Sequence, residues 1–468
     1  MVLRQKIFLA CVIAGNIVAW AIPNNVVELV AREQQVLLSR YSRDHFAINV
    51  GILIVSVLGL YIDQARSPKT YKRRWFQVIT ALLSVALTLV VVDVVVRSFR
   101  KSTYVVDPRA YRRPPNSVFR EKMVDRPLAE FSYPNATPGY PTIDCTLSTD
   151  ARGFRNRTAL DRADVVVLGD SFVEGSHVSD EHPWPVRLAE FSGLSVYSLG
   201  MSGYSPFRYY VSLKEYGLER KPRIVLCSLY EGNDIRSQQG LDEDTGYGLG
   251  KAIRVYVKQS PLLQTLDGTI NRTFGPIGTG RPCKGLDVMS WLPFRVPDGP
   301  TGKCYAFGPK QITQAYMSEQ KFEDSGLWDA LSSIFKGLKN ACDESGAKLV
   351  LVYVPTKPHV VLPLALDRLP AEKVYGFARI VDKKLPDQRT FMTNLVPYLG
   401  SREAVVRRWC EQQGVGFVEL TEPLRQAAAS GQQVYFTYDQ HWTPIGHEVA
   451  ARAVAEYLKG NGWGKDKG

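Results

Sequence analysis

Four short segments carry residue types that could do chemistry together. They are Gly169-Asp170-Ser171-Phe172, Leu199-Gly200-Met201-Ser202-Gly203-Tyr204, Tyr230-Glu231-Gly232-Asn233-Asp234 and Asp439-Gln440-His441-Trp442. A serine hydroxyl is a weak nucleophile at neutral pH and needs a base beside it. The chain has six histidines: His45, His177, His182, His359, His441 and His447. Asp439, two residues before His441, could hold that ring in the productive tautomer and stabilise its imidazolium. Such a set would attack the carbonyl carbon of an acyl group. Each segment alone is also an ordinary turn, because Gly, Asp, Ser and Asn favour turns for their own reasons. Ser171 could be only a helix cap, and His441 a structural ring.

The elements that would position these residues are legible. Short β-branched runs (DVVVLGD, LSVYSLG, RIVLCSLY, KLVLVYVP and GFVEL) alternate with helical segments from about residue 161 onward. Continuous apolar runs of this length fit strands buried on both faces, hence a parallel sheet between helices. In open α/β sheets ligands bind beyond the carboxyl ends of the strands, and all four segments fall at that rim. Ser171 would open a strand-to-helix turn, with its N–H at a helix start. Ser205-Pro206 and Thr443-Pro444 each read as a cap followed by proline at the first helical position. The last helix is expected over Pro444–Lys459, with Ile445, Val449, Ala453 and Tyr457 inward and Gly460 ending it. Residues 235–337 interrupt the alternation as a Gly- and Pro-rich insertion, and residues 101–160 read as linker and entry segment.

The four segments, in this order, resemble the SGNH (GDSL-like) hydrolase superfamily. Asp170-Ser171 lies in the serine block, Gly200 in the glycine block, Asn233 in the asparagine block, and Asp439-Gln440-His441-Trp442 in the histidine block. The run DQHWTPIGH is similar to the histidine block of membrane-associated bacterial proteins related to alginate O-acetylation. The resemblance covers about 164–458 and implies a three-layer, flavodoxin-like α/β domain. It implies Ser171 as nucleophile, His441 as base, Asp439 as the third member, and an oxyanion hole from the Ser171 and Gly200 N–H groups and the Asn233 amide. Many members carry Asp three residues before the His; here that position is Tyr438, and the Asp stands at 439. His177 and His182 occupy places that are not catalytic in the family pattern and read as surface or packing residues. His447 reads as structural, as do Asp170, Glu231 and Asp234. Trp442 either stacks on substrate or packs beneath the histidine loop.

The first hundred residues are of a different kind. Apolar runs at Ile7–Ile22, Ala47–Ile62 and Phe76–Val96 predict three transmembrane helices, the third meeting the length a bilayer core needs and the first two near its short limit. Ala19-Trp20-Ala21 also resembles a cleavage site, so a signal peptide with two helices is the alternative. Arg4, Lys6 and the loop SPKTYKRR place the amino terminus and that loop in the cytoplasm, which puts the large domain outside. Arg97, Arg100, Lys101, Arg109, Arg112 and Arg113 pull the other way, but large domains translocate with little regard to such charge. Val26–Leu38 reads as an amphipathic surface segment.

Composition excludes several classes. With 468 residues, 45% hydrophobic and 22% charged, the chain is neither disordered nor collagen-like. Seven cysteines are too few for a disulfide scaffold of this length, and the absence of a CxxC pair gives no sign of a metal; no cofactor is expected. Cys227 reads as a buried thiol in a core strand, and Cys283 with Cys304 as a candidate disulfide. The net charge of +12 favours anionic neighbours, and since the basic residues cluster beside the membrane segments, lipid phosphates account for them better than nucleic acid does.

The expectation is therefore an inner-membrane, multi-pass protein with its catalytic domain on the periplasmic side. It would be a serine esterase or O-acyltransferase acting on acetyl esters of an envelope polysaccharide, with a membrane O-acyltransferase as a partner. The competing reading is a catalytically inactive module that binds glycan or assembles an export complex.

Overall fold

The computed structural model describes residues 3–21, 36–37, 41–65, 67–99, 111–125, 139–236, 292–297, 301–379, 382 and 384–464. The chain divides into two units. One takes in the described residues of Met1–Ser102, the other those of Thr103–Pro127, Tyr133–Gly246 and Val288–Gly468.

In the first unit the three apolar runs form helices Leu3–Ala21, Arg43–Asp63 and Pro68–Phe99. Among the described residues one helix is long and apolar enough to cross a membrane, over Pro68–Asp93; Gln5–Ala21 and Ile48–Asp63 are shorter apolar helices. The expected amphipathic segment lies outside the described residues except for Val36–Leu37, which pair with Tyr41–Ser42 as a two-residue ladder.

The second unit contains nine strands among its described residues. In chain order they are β1 (Val118–Met123), β2 (Ile143–Ser148), β3 (Val165–Leu168), β4 (Val196–Ser198), β5 (Ile224–Tyr230), β6 (Leu292–Val296), β7 (Lys303–Phe307), β8 (Lys348–Val354) and β9 (Gly416–Glu419). Five of them form one parallel sheet in the order β9-β8-β5-β3-β4. These are the five runs read from the sequence. The order reverses direction between β3 and β5, the switch point at which such sheets place their ligands.

Alternation along each strand feeds two cores. Val165, Val167, Leu226, Val350 and Val352 pack on one face with the helices Trp184–Ser192 and Pro444–Gly460. Val166, Leu168, Val225, Cys227 and Leu351 pack on the other with Gly326–Ser345 and Ser401–Gln413. Burial on both faces is why these strands read as unbroken apolar runs.

Two expectations about the last helix are corrected, and two segments gain structure. In the last helix the buried residues are Gly446, His447, Ala450, Ala451, Val454, Ala455 and Leu458; Val449, Ala453 and Tyr457 are half-buried at the edge of the core, and Ile445 is exposed. Gly460 is the last helical residue and not the stop. The supposed insertion is ordered from Leu292 on, wherever it is described: β6 and β7 form an antiparallel pair, followed by helices Pro309–Ala315 and Glu319–Glu323. The supposed linker likewise holds the antiparallel pair β1-β2, in the same unit as the central sheet.

Candidate active site

Strand β3 ends at Leu168, and Gly169-Asp170 turn the chain into the single helical turn Ser171–Glu174. Two features force this tight corner. Asp170 caps the turn, its Oδ1 accepting the Phe172 N–H at 2.9 Å. Gly169 sits so close to the next turn that a Cβ there would meet Val173 Cγ2 at 2.2 Å. Gly200, after β4, is pressed on the same turn, where a Cβ would lie 2.6 Å from the Glu174 nitrogen. Its N–H faces the Ser198 hydroxyl at 3.3 Å. Asn233 is exposed in the loop after β5.

The decisive distances involve a residue far away in the chain. His441 Nε2 lies 2.8 Å from Ser171 Oγ, and His441 Nδ1 lies 2.6 Å from Asp439 Oδ1. The same carboxylate oxygen accepts the His441 backbone N–H at 2.8 Å. An ionised carboxylate only accepts, so Nδ1 carries the proton and the Nε2 lone pair faces the serine. Burial would raise the Asp439 carboxyl, but the charge and hydrogen bonds of His441 outweigh it and hold the group below the usual carboxylate range. Asp439 is thus the ionised partner of the ring nitrogen that points away from Ser171.

The loop that carries His441 has no regular structure beyond a bridge between Tyr435 and Trp442, yet it is held from two sides. Asp125 accepts the N–H groups of Thr437 (2.7 Å), Tyr438 (3.1 Å) and Asp439 (3.1 Å). Lys357, fully buried, donates to the carbonyls of Phe436 (3.1 Å), Thr437 (2.8 Å), Tyr438 (3.2 Å) and Asp439 (2.8 Å). Burial pulls the Lys357 ammonium down to about 8. Neither residue figured among the sequence candidates. Lys357 had a signal, since it follows β8 at the same rim as the other loops; Asp125, in the supposed linker, had none.

Aromatic packing completes the floor. Phe172 lies 5.1 Å from the His441 ring and 4.9 Å from the Trp442 ring, edge-on. Trp442 is fully buried, which corrects its candidacy for substrate stacking: it packs beneath the loop. His447 is buried against Trp442 at 5.5 Å, and burial holds its ring well below the ordinary imidazole range. The framework residues are where they were expected. Glu231 accepts from Thr356 N–H (2.8 Å) and Oγ1 (2.9 Å) and pairs with His359 (3.2 Å). Asp234 accepts from Tyr209 and from the Tyr230 N–H. Burial raises the Asp234 carboxyl, and the charge of Asp170 adds to it. Cys227 is a buried free thiol; Cys304 is also buried and free, while Cys283 lies outside the described residues.

His177 stands beside the catalytic candidates. Its ring stands 5.4 Å from that of His441, its Nε2 lies 3.9 Å from Asp439 Oδ2, and its Nδ1 is held by Glu121 at 3.1 Å. Burial opposes its protonation, but the Glu121 hydrogen bond and the Asp439, Glu121 and Asp125 charges prevail and raise its pKa. His182 is exposed beside Glu181.

Residues 314–467 match the model of a family described as "SGNH hydrolase-like domain, acetyltransferase AlgX". Over that stretch, about a third of its length, the chain is similar to SGNH proteins related to alginate O-acetylation. A curated relative, a probable alginate O-acetylase AlgJ from Pseudomonas putida, is 31% identical over 147 residues. That stretch is 31% of this chain and 31% of the relative, so the chain spans about a third of the relative's length. Solved structures found in the comparison include one of the lipolytic G-D-S-L family from Desulfitobacterium hafniense (11% identity, 63% of this chain and 98% of that one, TM-score 0.31). A GDSL-like lipase from Bacteroides thetaiotaomicron is another (12% identity, 64% and 88%, TM-score 0.27).

Proposed function

We propose that the chain is a serine enzyme that takes an acetyl group from an ester onto Ser171 and passes it on. The observation that carries this reading is the 2.8 Å hydrogen bond between Ser171 Oγ and His441 Nε2, backed by Asp439 at 2.6 Å. Ser171 Oγ attacks the acyl carbon while its proton moves to Nε2, and Asp439 stabilises the resulting imidazolium. The Ser171 N–H, the Gly200 N–H and the Asn233 amide receive the oxyanion. The imidazolium then protonates the departing alcohol, which leaves an acyl-serine. Water or a sugar hydroxyl, deprotonated by His441, attacks that ester and releases the acyl group with Ser171 restored.

The relationship to alginate O-acetylation supports a polysaccharide as acceptor or ester. The apolar helix Pro68–Asp93 and the basic residues Lys69, Lys72, Arg73 and Arg74 in its first turns support attachment to the inner membrane. With that end of the helix cytoplasmic, the serine unit lies in the periplasm, among envelope glycans and beside lipid headgroups. The two shorter apolar helices would cross with it, and a membrane O-acyltransferase would supply acyl groups.

Intact mass measurement after exposure to an acetyl-ester reporter or a serine-reactive phosphonate tests the reading. An adduct on Ser171 is expected, absent from Ser171→Ala at an unchanged melting temperature. Oligosaccharide acceptors that speed its loss would select transfer over hydrolysis. A folded wild type that takes neither reagent at Ser171 overturns the proposal.

A further inference from the structure

The acyl chemistry uses Ser171, His441 and Asp439 but leaves His177 and Glu121 without a task. Their arrangement is specific. His177 adopts φ +66°, a left-handed conformation uncommon for residues other than glycine, although histidine is among the more tolerant. The backbone around it is held in place: its carbonyl accepts from Cys145 Sγ at 3.0 Å, and Arg155 donates to the carbonyls of Gly175 and Val178 on either side. This conformation turns the His177 ring toward Asp439 and His441. One potential ligand atom from each of His177, Asp439 and His441 lies within 4.8 Å of the others.

We propose that His177, Asp439 and His441 form a binding site for a zinc-like divalent cation that shuts off the serine chemistry. Two imidazoles and one carboxylate are a donor set that suits zinc and its neighbours and not calcium or magnesium, which prefer oxygen alone. In a tetrahedral zinc site with bonds of about 2.0–2.1 Å the donors stand about 3.3 Å apart, so closure needs side-chain shifts of about an ångström or less. Glu121 supplies the outer carboxylate that zinc-binding histidines typically have: it holds Nδ1 of His177 at 3.1 Å and leaves Nε2 as the ligand. The three side chains are between 14% and 30% exposed, which gives an ion an entry path and an open position for water or the Ser171 hydroxyl.

The shut-off follows from the ring's two nitrogens. If the cation binds His441 Nδ1, the ring proton must move to Nε2, which then donates to Ser171 and can no longer take its proton. If it binds Nε2, it displaces the serine hydroxyl. Either way the base is lost with no bond made or broken in the protein other than to that proton. Binding needs no catalysis, whereas the inhibition rests on the serine reading proposed above.

The test separates the two. Zinc binding to the untagged full chain in detergent is measured by competition with a chelating dye, in a Ser171→Ala background with Cys11, the exposed thiol among the described residues, and Cys283 changed to Ser. A single equivalent of zinc is expected, with calcium and magnesium unable to compete. His177→Asn, whose side chain tolerates the left-handed backbone, should weaken binding at least about tenfold, and Glu121→Gln about tenfold. His177→Gly, free of any conformational objection, must weaken it as well. Zinc bound as tightly by His177→Gly as by its parent, or no zinc bound by the parent, overturns the proposal. With Ser171 present, zinc should lower ester turnover and a chelator restore it, each rate referred to the same protein without metal. Turnover unaffected by zinc at saturating occupancy overturns the shut-off. A metal-free chain without turnover sinks the serine reading and leaves the binding result standing.

Discussion

Replacing Asp439 by Asn changes one charge and almost no geometry. Asp439 Oδ1 accepts from both His441 Nδ1 (2.6 Å) and the His441 backbone N–H (2.8 Å). The amide oxygen of Asn will therefore settle in that place, with its NH₂ at the position of Oδ2. The tautomer of His441 survives, and what is lost is the negative charge that meets the imidazolium as the proton leaves Ser171. Two unit charges about 4 Å apart at an effective dielectric constant of about 20 attract by about 4 kcal/mol. Asp439 is 29% exposed, and water reaching it trims the figure to about 3–4 kcal/mol. The expected fall in kcat is then about 10²–10³-fold, at about tenfold for each 1.4 kcal/mol. KM and melting temperature should hold, since substrate binding and both hydrogen bonds are kept. Steady-state hydrolysis of an acetyl-ester reporter reads the effect. An Asp439→Asn enzyme within about threefold of wild type would refute the assignment of Asp439 as charge partner of His441.

Asp125→Ala should cost stability and activity together. It leaves the N–H groups of Tyr140, Thr437, Tyr438 and Asp439 without their acceptor; at about 1–3 kcal/mol for each donor that water cannot reach, a loss of about 3–5 kcal/mol is expected. Thermal melting and ester turnover measure it, and a loss of activity with no drop in melting temperature would contradict the bracing role. Lys357 gives a pH signature. Its pKa of about 8 in the folded protein lies below the 10.5 of an unperturbed lysine. Between these values the unfolded chain binds more protons, so this group makes the protein more stable as pH rises from about 8 toward 10.5. Wild type should gain about 1.5 kcal/mol relative to Lys357→Met between pH 8 and 9.5, read by chemical denaturation. A difference that stays flat or shrinks over that range would show that Lys357 is not held by burial.

The parts of this molecule that were legible in the sequence are those whose burial leaves a periodic or compositional trace. Val165–Leu168 and Ile224–Tyr230 are apolar without interruption because both faces of the sheet are covered, and their carboxyl ends pointed to Ser171 and Asn233. The last helix was found from Thr443-Pro444, but its inward face was misassigned at Ile445. Ile445 looked like core by residue type, whereas small residues, Ala450, Ala451 and Ala455, do the close packing against Trp184–Ser192. The entry segment was unreadable because its work is polar. Arg113 pairs with Glu174, and Arg155 binds Asp180 and four backbone carbonyls. Arg112 and Arg113 weighed against the topology when counted as membrane flanks. In the fold they are partly spent on Tyr216 and Glu174, so their charge says less about the bilayer than their position in the chain suggested.

The same polar segment explains how an irregular loop can hold a ring within hydrogen-bonding distance of a serine 270 residues away. A helix or strand fixes its side chains by pairing its own amides and carbonyls; the loop from Phe436 to His441 pairs few of them internally. Its carbonyls instead converge on the Lys357 ammonium and its amides on the Asp125 carboxylate, two opposite charges that substitute for a hydrogen-bond ladder. Neutral partners would each satisfy one or two groups, whereas a buried ammonium and a carboxylate each gather several, and charged hydrogen bonds are the stronger kind. The arrangement explains why the cost of burying Lys357 is tolerated: its ammonium is met by four carbonyls, of which that of Thr437 also accepts the Ala306 N–H at 2.9 Å. It also means that Asp125 and Glu121, both in the segment that reads as linker, belong to the working unit. A fragment beginning at residue 161, where the apolar periodicity starts, would keep Ser171, His441 and Asp439 but lose the carboxylate that orders their loop.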